Sequence, residues 1–296
     1  MAILIIGKTG FIGSNYYKYS NIKEKKFFTS SRNKKYYYLN LIRFDKKKLH
    51  NYITKKKIDK VVILSSISKP EECIRNKRKS HALNVKGTKN LINILIKQKI
   101  YFIFFSTEYI FNGKNGYYTE KSKAIPCLYY GKQKLLIENY IKIKLDKNFA
   151  IFRLSKTYGF KKNDGTLFTN ILKHQKKRII LNVADDQYFA PVFIKDVIRI
   201  IDYFLVKKIS GTYNISGDYY SSRFQLVKKF LNFLTKKHQN LISIKKNKLD
   251  NFTFKEKYPK NTILINNKIK KITGIKFTSI TNSFKIIINE QKKSRV

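Results

Sequence analysis

The sequence predicts an α/β fold, a doubly wound parallel sheet with a smaller C-terminal lobe, and three observations carry that prediction. Short apolar runs rich in β-branched and aromatic residues recur through the first half of the chain. Helix-length stretches with apolar positions every three or four residues separate them. After about residue 155 this regular beat weakens. A chain of 296 residues with 43% hydrophobic content is long enough to bury a sizeable core in one large domain, or in a domain with a lobe.

The elements follow in order. "AILII" is a buried-type strand that runs into "GKTGFIGSNYY", and "FIGSNYYKYS" continues as a helix. "KKFFTSS" is the second strand, "KKKLHNYITKK" a helix, and "DKVVILSS" the third strand. "HALNVKGTKNLINILIKQK" reads as one long helix before the strand "YFIFFST". The helix "YYGKQKLLIENYIKIKL" and the strand "NFAIFRLS" close the regular half. Parallel neighbours need such crossovers, which cover both faces of the sheet. Residues 1–155 are therefore expected to form the nucleotide-binding domain, rejoined at about 186–210, with 156–296 mainly forming the lobe. Turn signals at "KKNDG", "ISGT" and "SGDYY" separate the lobe's shorter elements, and the final "EQKKSRV" reads as a solvated tail.

The formal net charge of +46 would ordinarily suggest a polyanionic partner. Only nine of the 64 basic residues are Arg, however, and Lys, Ile, Asn, Tyr and Phe are all abundant, as AT-rich coding produces. The lysines are scattered rather than gathered with Arg and aromatic residues on one face, which disfavours a nucleic-acid partner. The positive field still favours an anionic substrate or cofactor. The first apolar run is too short for a membrane span and lacks the cationic region of a signal peptide, so a cytoplasmic protein without a membrane partner is expected. Cys73 and Cys127 lie far apart and outside any Cys/His cluster, so neither a disulfide framework nor a metal site is predicted.

Gly7, Gly10 and Gly13 directly follow the first strand. At this spacing Gly7 permits the sharp turn, Gly10 lets backbone approach a pyrophosphate, and Gly13 lets the helix pack on the sheet with its N–H groups toward the anion. A plain strand-to-helix turn has no need of three glycines from a chain that holds only 12. The pattern predicts a Rossmann-type dinucleotide site. The second strand ends in "TSSRN", where Ser31 and Arg32 suit a 2′-phosphate, so NADP(H) is favoured over NAD(H).

A Tyr followed four residues later by Lys presents both side chains on one helix face. There the cation can lower the phenol's pKa for proton donation to a developing alkoxide. Seven such pairs occur, against about four expected by chance. Context selects Tyr130 and Lys134, which open a helix after a strand ending in hydroxyl residues, where an open parallel sheet places its ligand. Tyr129 has Gln133 at the corresponding position, which favours ordinary packing.

"ILIIGKTGFIG", "STEYIFNG", "YYGKQKLLIE", "ALNVKGTKNL", "FRLSKTYG", "DDQYFAPVFIKDV", "GTYNISG" and "KYPKNTILINNKIKKITGIKFTSI" together resemble the extended short-chain dehydrogenase/reductases, most closely the dTDP-4-dehydrorhamnose reductase group. The resemblance implies an NADPH-dependent reductase of a nucleotide-linked 4-keto-6-deoxysugar, serving polysaccharide or another glycosylated product. It implies that Thr107 hydrogen-bonds the keto oxygen, Tyr130 donates the proton, and Lys134 binds the nicotinamide ribose. A buried hydroxyl capping a strand end is the plain alternative for Thr107. Gly7, Lys8, Thr9, Gly10, Phe11, Ile12 and Gly13 would hold the pyrophosphate, with Arg32, Asn40, Leu41, Ser65 and Ser66 elsewhere along the cofactor. Glu108, Gln187 and Pro191 would meet the sugar nucleotide.

The sequence also departs from the group's pattern. "LSSIS" replaces small alanines, Asn40 stands where an Asp often reads the adenine, "QYFAPVF" lacks the usual small or basic residue, and Tyr258 replaces a common Arg. A dehydratase would need an Asp–Glu pair after Thr107, whereas Glu108 is followed by Tyr109. An epimerase, and a non-catalytic NADP-binding subunit resembling that of methionine adenosyltransferase, stay open, as does a homodimer.

Overall fold

The computed structural model describes residues 1–162, 164–173, 178–235 and 241–293. Its strands are β1 (Ala2–Ile6), β2 (Lys25–Ser30), β3 (Tyr37–Tyr38), β4 (Ile58–Ile63), β5 (Tyr101–Thr107), β6 (Phe149–Leu154), β7 (Thr157–Tyr158), β8 (Ile179–Ala184), β9 (Tyr188–Phe189), β10 (Val192–Phe193), β11 (Gly211–Ile215), β12 (Ser221–Ser222) and β13 (Ile242–Asn247). All five residues of β1 and all seven of β5 are buried, as strands covered on both faces must be.

Seven strands make the main sheet, in the order β11-β6-β5-β4-β1-β2-β3. The chain begins in the middle, steps outward through β2 and β3, then returns to the other side of β1. β1 pairs in parallel with β2 and with β4, so that Ile6 lies between Thr29 and Ile63. The reversal of strand order between β1 and β4 opens a crevice beyond the carboxyl ends of those strands.

The helices between these strands bury the stripe their periodicity predicts. They are α1 (Phe11–Tyr19), α2 (Lys46–Lys55), α3 (Pro70–Arg75), α4 (Lys77–His81), α5 (Thr88–Lys97) and α6 (Tyr129–Lys144). In α2, Asp45 caps the N-terminus by accepting from the Lys48 N–H, and Leu49 and Ile53 are the buried pair one turn apart. The core joins Leu4, Ile6, Val61 and Ile63 of the sheet to Leu91, Leu95 and Ile137 of the helices.

The long helix predicted from His81 onward runs continuously to Lys97 but changes its hydrogen bonding on the way. Residues Ala82–Gly87 form a π-turn before α5 begins. A Cβ at Gly87 would fall 1.9 Å from the Leu41 carbonyl oxygen, so only glycine lets that backbone pass.

The chain divides into two compact units, one of residues 1–110, 124–153 and 198–213, the other of 111–123, 154–197 and 214–296. In the second unit β8 and β13 pair in parallel from Ile179↔Ile242 to Ala184↔Asn247. Its helices include α7 (Leu167–Leu172) and α9 (Arg223–Leu231), and α8 (Ile194–Lys207) spans the boundary between the units. Phe168, Phe230 and Phe284 pack together in tilted and edge-on pairs with centroids 4.7 to 4.9 Å apart. The predicted C-terminal tail is, as far as Lys293, the end of a helix from Ile280, because Ile280, Phe284 and Ile287 form a buried stripe; residues 294–296 lie outside the described residues. Among the described residues no helix is long and apolar enough to cross a membrane.

Candidate active site

The glycine loop closes the crevice between β1 and β4. Gly7 has φ +102°, and a Cβ there would come within 2.9 Å of both the backbone nitrogen and the hydroxyl of Ser65, just beyond β4. A Cβ on Gly13 would meet the Gly7 carbonyl oxygen at 2.2 Å, so this glycine lets α1 sit directly on the turn. At Gly10 a Cβ would make only ordinary contact, 3.4 Å from the same oxygen, and that side of the loop is open to a ligand. No side chain caps α1, which leaves first-turn N–H groups around Phe11 and Ile12 for an anion. These features fit a dinucleotide pyrophosphate. Gly13→Ala is expected to cost about 1–3 kcal/mol of stability by overpacking and to abolish dinucleotide binding, checked by urea unfolding and cofactor titration.

The remaining cofactor candidates surround this loop. The Lys8 N–H donates to the Thr29 carbonyl, and its ammonium lies 4.3 Å from the Tyr17 ring centroid and 5.0 Å from that of Tyr36. Thr9 is exposed. Ser30 Oγ accepts from the N–H groups of Arg32 and Asn33, a turn that leaves Ser31 and Arg32 exposed at the end of β2. Arg32 has no ion-pair partner among the described residues. The Asn40 side-chain oxygen accepts from the Ile42 N–H, and Leu41 is buried, its carbonyl against Gly87.

β5 ends at Thr107, and α6 carries Tyr130 and Lys134; all three are buried. Thr107 Oγ1 accepts from the Tyr109 N–H at 3.3 Å, a strand-end role that coexists with its position beside Glu108. Lys134 Nζ donates to the Phe105 carbonyl at 2.8 Å and lies 5.8 Å from the Tyr130 ring centroid. Desolvation lowers the Lys134 pKa to about 8. The Tyr130 phenol is pushed up by burial, helped by Cys73 and Glu108 and opposed by a hydrogen bond with Ser66. This is the reverse of the direction expected from a neighbouring lysine, because the ammonium is turned to the strand carbonyl and burial outweighs its field.

Sequence reasoning passed over the groups that hold this helix in place. Asn84, within the π-turn, accepts from Ser66 Oγ and the Ile67 N–H and donates to the Ile67 carbonyl and to Gln133 Oε1, all within 3.0 Å. Gln133 in turn donates to Ser80 Oγ at 3.0 Å. Glu138 is fully buried and accepts from Ser106 Oγ at 2.5 Å and from Arg153 through both Nε and Nη2. The available signals were a lone Arg inside the apolar strand "NFAIFRLS" and a carboxylate one turn beyond Lys134 on the same face.

The family model described as the RmlD substrate binding domain matches residues 1–293. The chain belongs to that family. A dTDP-4-dehydrorhamnose reductase from Aggregatibacter actinomycetemcomitans is 30% identical over 133 residues, which is 45% of this chain and 44% of the relative. Methionine adenosyltransferase 2 subunit beta from Mus musculus is 25% identical over 238 residues, covering 76% of this chain and 69% of that protein. Among solved structures, a dTDP-4-dehydrorhamnose reductase from Bacillus anthracis in complex with NADP superposes with a TM-score of 0.86 at 18% identity, over 98% of this chain and 99% of the other. At that identity the likeness is one of fold.

In the second unit of this RmlD-family chain, Gln187 is buried and its Oε1 accepts from Arg223 Nε at 2.7 Å. Pro191 is also buried, its carbonyl oxygen 2.2 Å from where a Cβ on Gly217 would stand. The same unit has an uncharged cavity of about 240 Å³ lined by Tyr117, Tyr188, Tyr220, Ser221, Gln225 and Asn261 among others. Tyr117 reaches it with φ +51° and meets Tyr220 edge-on, centroids 5.4 Å apart. Sequence reasoning missed these tyrosines because 21 are spread along the chain. No group of His, Cys, Asp and Glu among the described residues could hold a metal ion.

Proposed function

We propose that this chain is an NAD(P)-dependent oxidoreductase, specifically an NADPH-dependent reductase of a nucleotide-linked 4-keto-6-deoxysugar. The observation that carries the reading is the pairing of a glycine loop closed on Ser65 at the β1/β4 crevice with Thr107, Tyr130 and Lys134 at the carboxyl end of β5 and the start of α6. Family membership and the NADP complex of the Bacillus anthracis relative support it.

The nicotinamide, when bound, supplies the hydride. Thr107 orients the keto oxygen and Tyr130 delivers its phenolic proton to that oxygen as it becomes a hydroxyl. The network of Asn84 and Gln133 holds α6 against the Ser66–Ile67 stretch, which keeps the phenol in register with the cofactor bed. Glu108 followed by Tyr109 supplies one carboxylate where elimination would need two, which argues against a dehydratase. The aromatic, uncharged cavity of the second unit suits the flat or apolar part of a sugar nucleotide.

Arg32→Ala is expected to weaken NADPH by roughly tenfold or more, the scale of a lost charge-assisted hydrogen bond, while leaving NADH within about twofold. Equal losses, read by fluorescence titration, would remove Arg32 from cofactor choice. The deciding experiment follows nicotinamide absorbance on mixing the protein with NADPH and a panel of nucleotide-linked 4-keto-6-deoxysugars, dTDP-4-dehydrorhamnose included. Oxidation dependent on one sugar establishes the reductase. Inversion of a 4-hydroxyl sugar nucleotide in the presence of NAD⁺, with no net change in nicotinamide absorbance, identifies an epimerase. NADPH binding without turnover of any sugar favours a regulatory subunit, the reading suggested by the Mus musculus relative.

A further inference from the structure

A second cavity, of about 320 Å³, opens on the first unit and is lined by Lys77, Arg78, His81, Ala82, Lys86 and Tyr129. Three of its six residues are lysine or arginine, one is histidine and none is acidic. Lys77, Arg78, His81 and Ala82 share one face of the chain through α4 by their one-turn spacing. Lys86, within the π-turn of Ala82–Gly87, completes the lining.

Gathering Lys77, Arg78 and Lys86 around one cavity is unfavourable unless something answers their charge. Some lysines of this protein meet carboxylates: Lys208 pairs with Asp59, Lys260 with Asp186 and Lys270 with Asp218. Lys77, Arg78, His81 and Lys86 have no ion-pair partner among the described residues. Tyr129 supplies a ring beside them, with the Lys77 ammonium 5.9 Å from its centroid. A second copy of a chain carrying +46 is the wrong counterpart for this surface. A flat ring next to clustered cations suits a ligand that joins a planar base to adjacent phosphates. The cavity shares no residue with the glycine loop.

We propose that this cavity is a binding site for a nucleoside polyphosphate, separate from the dinucleotide site. The base lies against Tyr129, and the phosphates take Lys77, Arg78 and Lys86. The lining is local to α4, the π-turn and the start of α6, and this favours a free nucleotide over a nucleic-acid backbone, which needs an extended basic stripe.

The test is calorimetric titration of the full chain with ATP, with and without saturating NADP⁺, using tripolyphosphate and a short RNA as comparators. One equivalent of ATP should bind in the presence of NADP⁺. The double substitution Arg78→Ala, Lys86→Ala should weaken ATP roughly tenfold or more, whereas Lys144→Ala, Lys147→Ala, which removes the same charge from exposed positions, should change it less than about twofold. Tyr129→Leu should weaken ATP and leave tripolyphosphate unchanged. Equal losses in the two double variants would reduce the site to the general positive field and overturn the proposal. Displacement of ATP by NADP⁺, tripolyphosphate binding as tightly as ATP, or retention of RNA alone would each overturn it as well.

Discussion

Tyr130→Phe is expected to lower turnover of the cognate keto sugar nucleotide by roughly 10²–10⁴-fold while NADPH affinity stays within about twofold. The phenol is buried and raised in pKa, so it stays protonated across the working pH range and is available as an acid. The substitution deletes one oxygen and keeps the ring's packing. Near-normal turnover in the variant would remove Tyr130 from the chemistry.

The wild-type pH profile gives a companion measurement. Lys134, lowered by burial to about 8 from the 10.5 of the free group, is charged below that pH and neutral above it, so turnover should fall as pH rises through about 8. Between about pH 8 and 10.5 the unfolded chain holds a proton on this amine that the folded chain has released, and linkage therefore makes this residue's contribution to stability rise with pH. Activity and this increment of stability move in opposite directions. Urea midpoints of the wild type and Lys134→Met, compared across that window, separate loss of the charge from loss of the fold.

Glu138→Ala is expected to cost about 3–5 kcal/mol of stability, because it leaves the Arg153 guanidinium buried without its carboxylate. Urea unfolding of the single variant measures the loss. The double substitution Glu138→Leu, Arg153→Met should recover most of it, since an apolar pair of similar volume avoids the desolvation of both charges. A loss below about 1 kcal/mol in the single variant would mean that water reaches Arg153. Glu138 also receives the hydrogen bond of Ser106, the residue before Thr107, so the folded fraction of Glu138→Ala should show reduced turnover with cofactor affinity retained.

The first half of the fold was legible because each crossover states itself locally. Five apolar residues ending at Gly7 are a buried strand, and Leu49 and Ile53 one turn apart are a helix face. The π-turn was not legible, and neither was the close passage of the Leu41 carbonyl at Gly87, a contact between positions 46 residues apart in the chain. The sharp turn at Gly7 and the close packing at Gly13 were readable from the glycine spacing. That Tyr130 and Lys134, among seven such pairs, open a helix after a strand ending in hydroxyl residues was readable only through their context. The direction of the Tyr130 shift was not, because burial and the rotamer of Lys134 are properties of the packed state. Asn84 and Glu138 escaped because a polar residue in a helix looks the same in sequence whether it faces solvent or a buried partner.

The first unit is assembled from three separated stretches of chain, and its sheet takes its last strand, β11, from residues 211–215. On the ribosome, β6 is made some 55 residues before the strand that covers its free edge. Phe152 likewise waits for Phe204, which packs against it at 4.9 Å. Through that interval the nascent chain carries an unpaired, apolar strand edge, the kind of surface that recruits chaperones or other strands. A fragment ending near residue 155 would carry the glycine loop and the Tyr–Lys pair and still be a poor miniature of the protein, soluble only while something else occupies the place of β11.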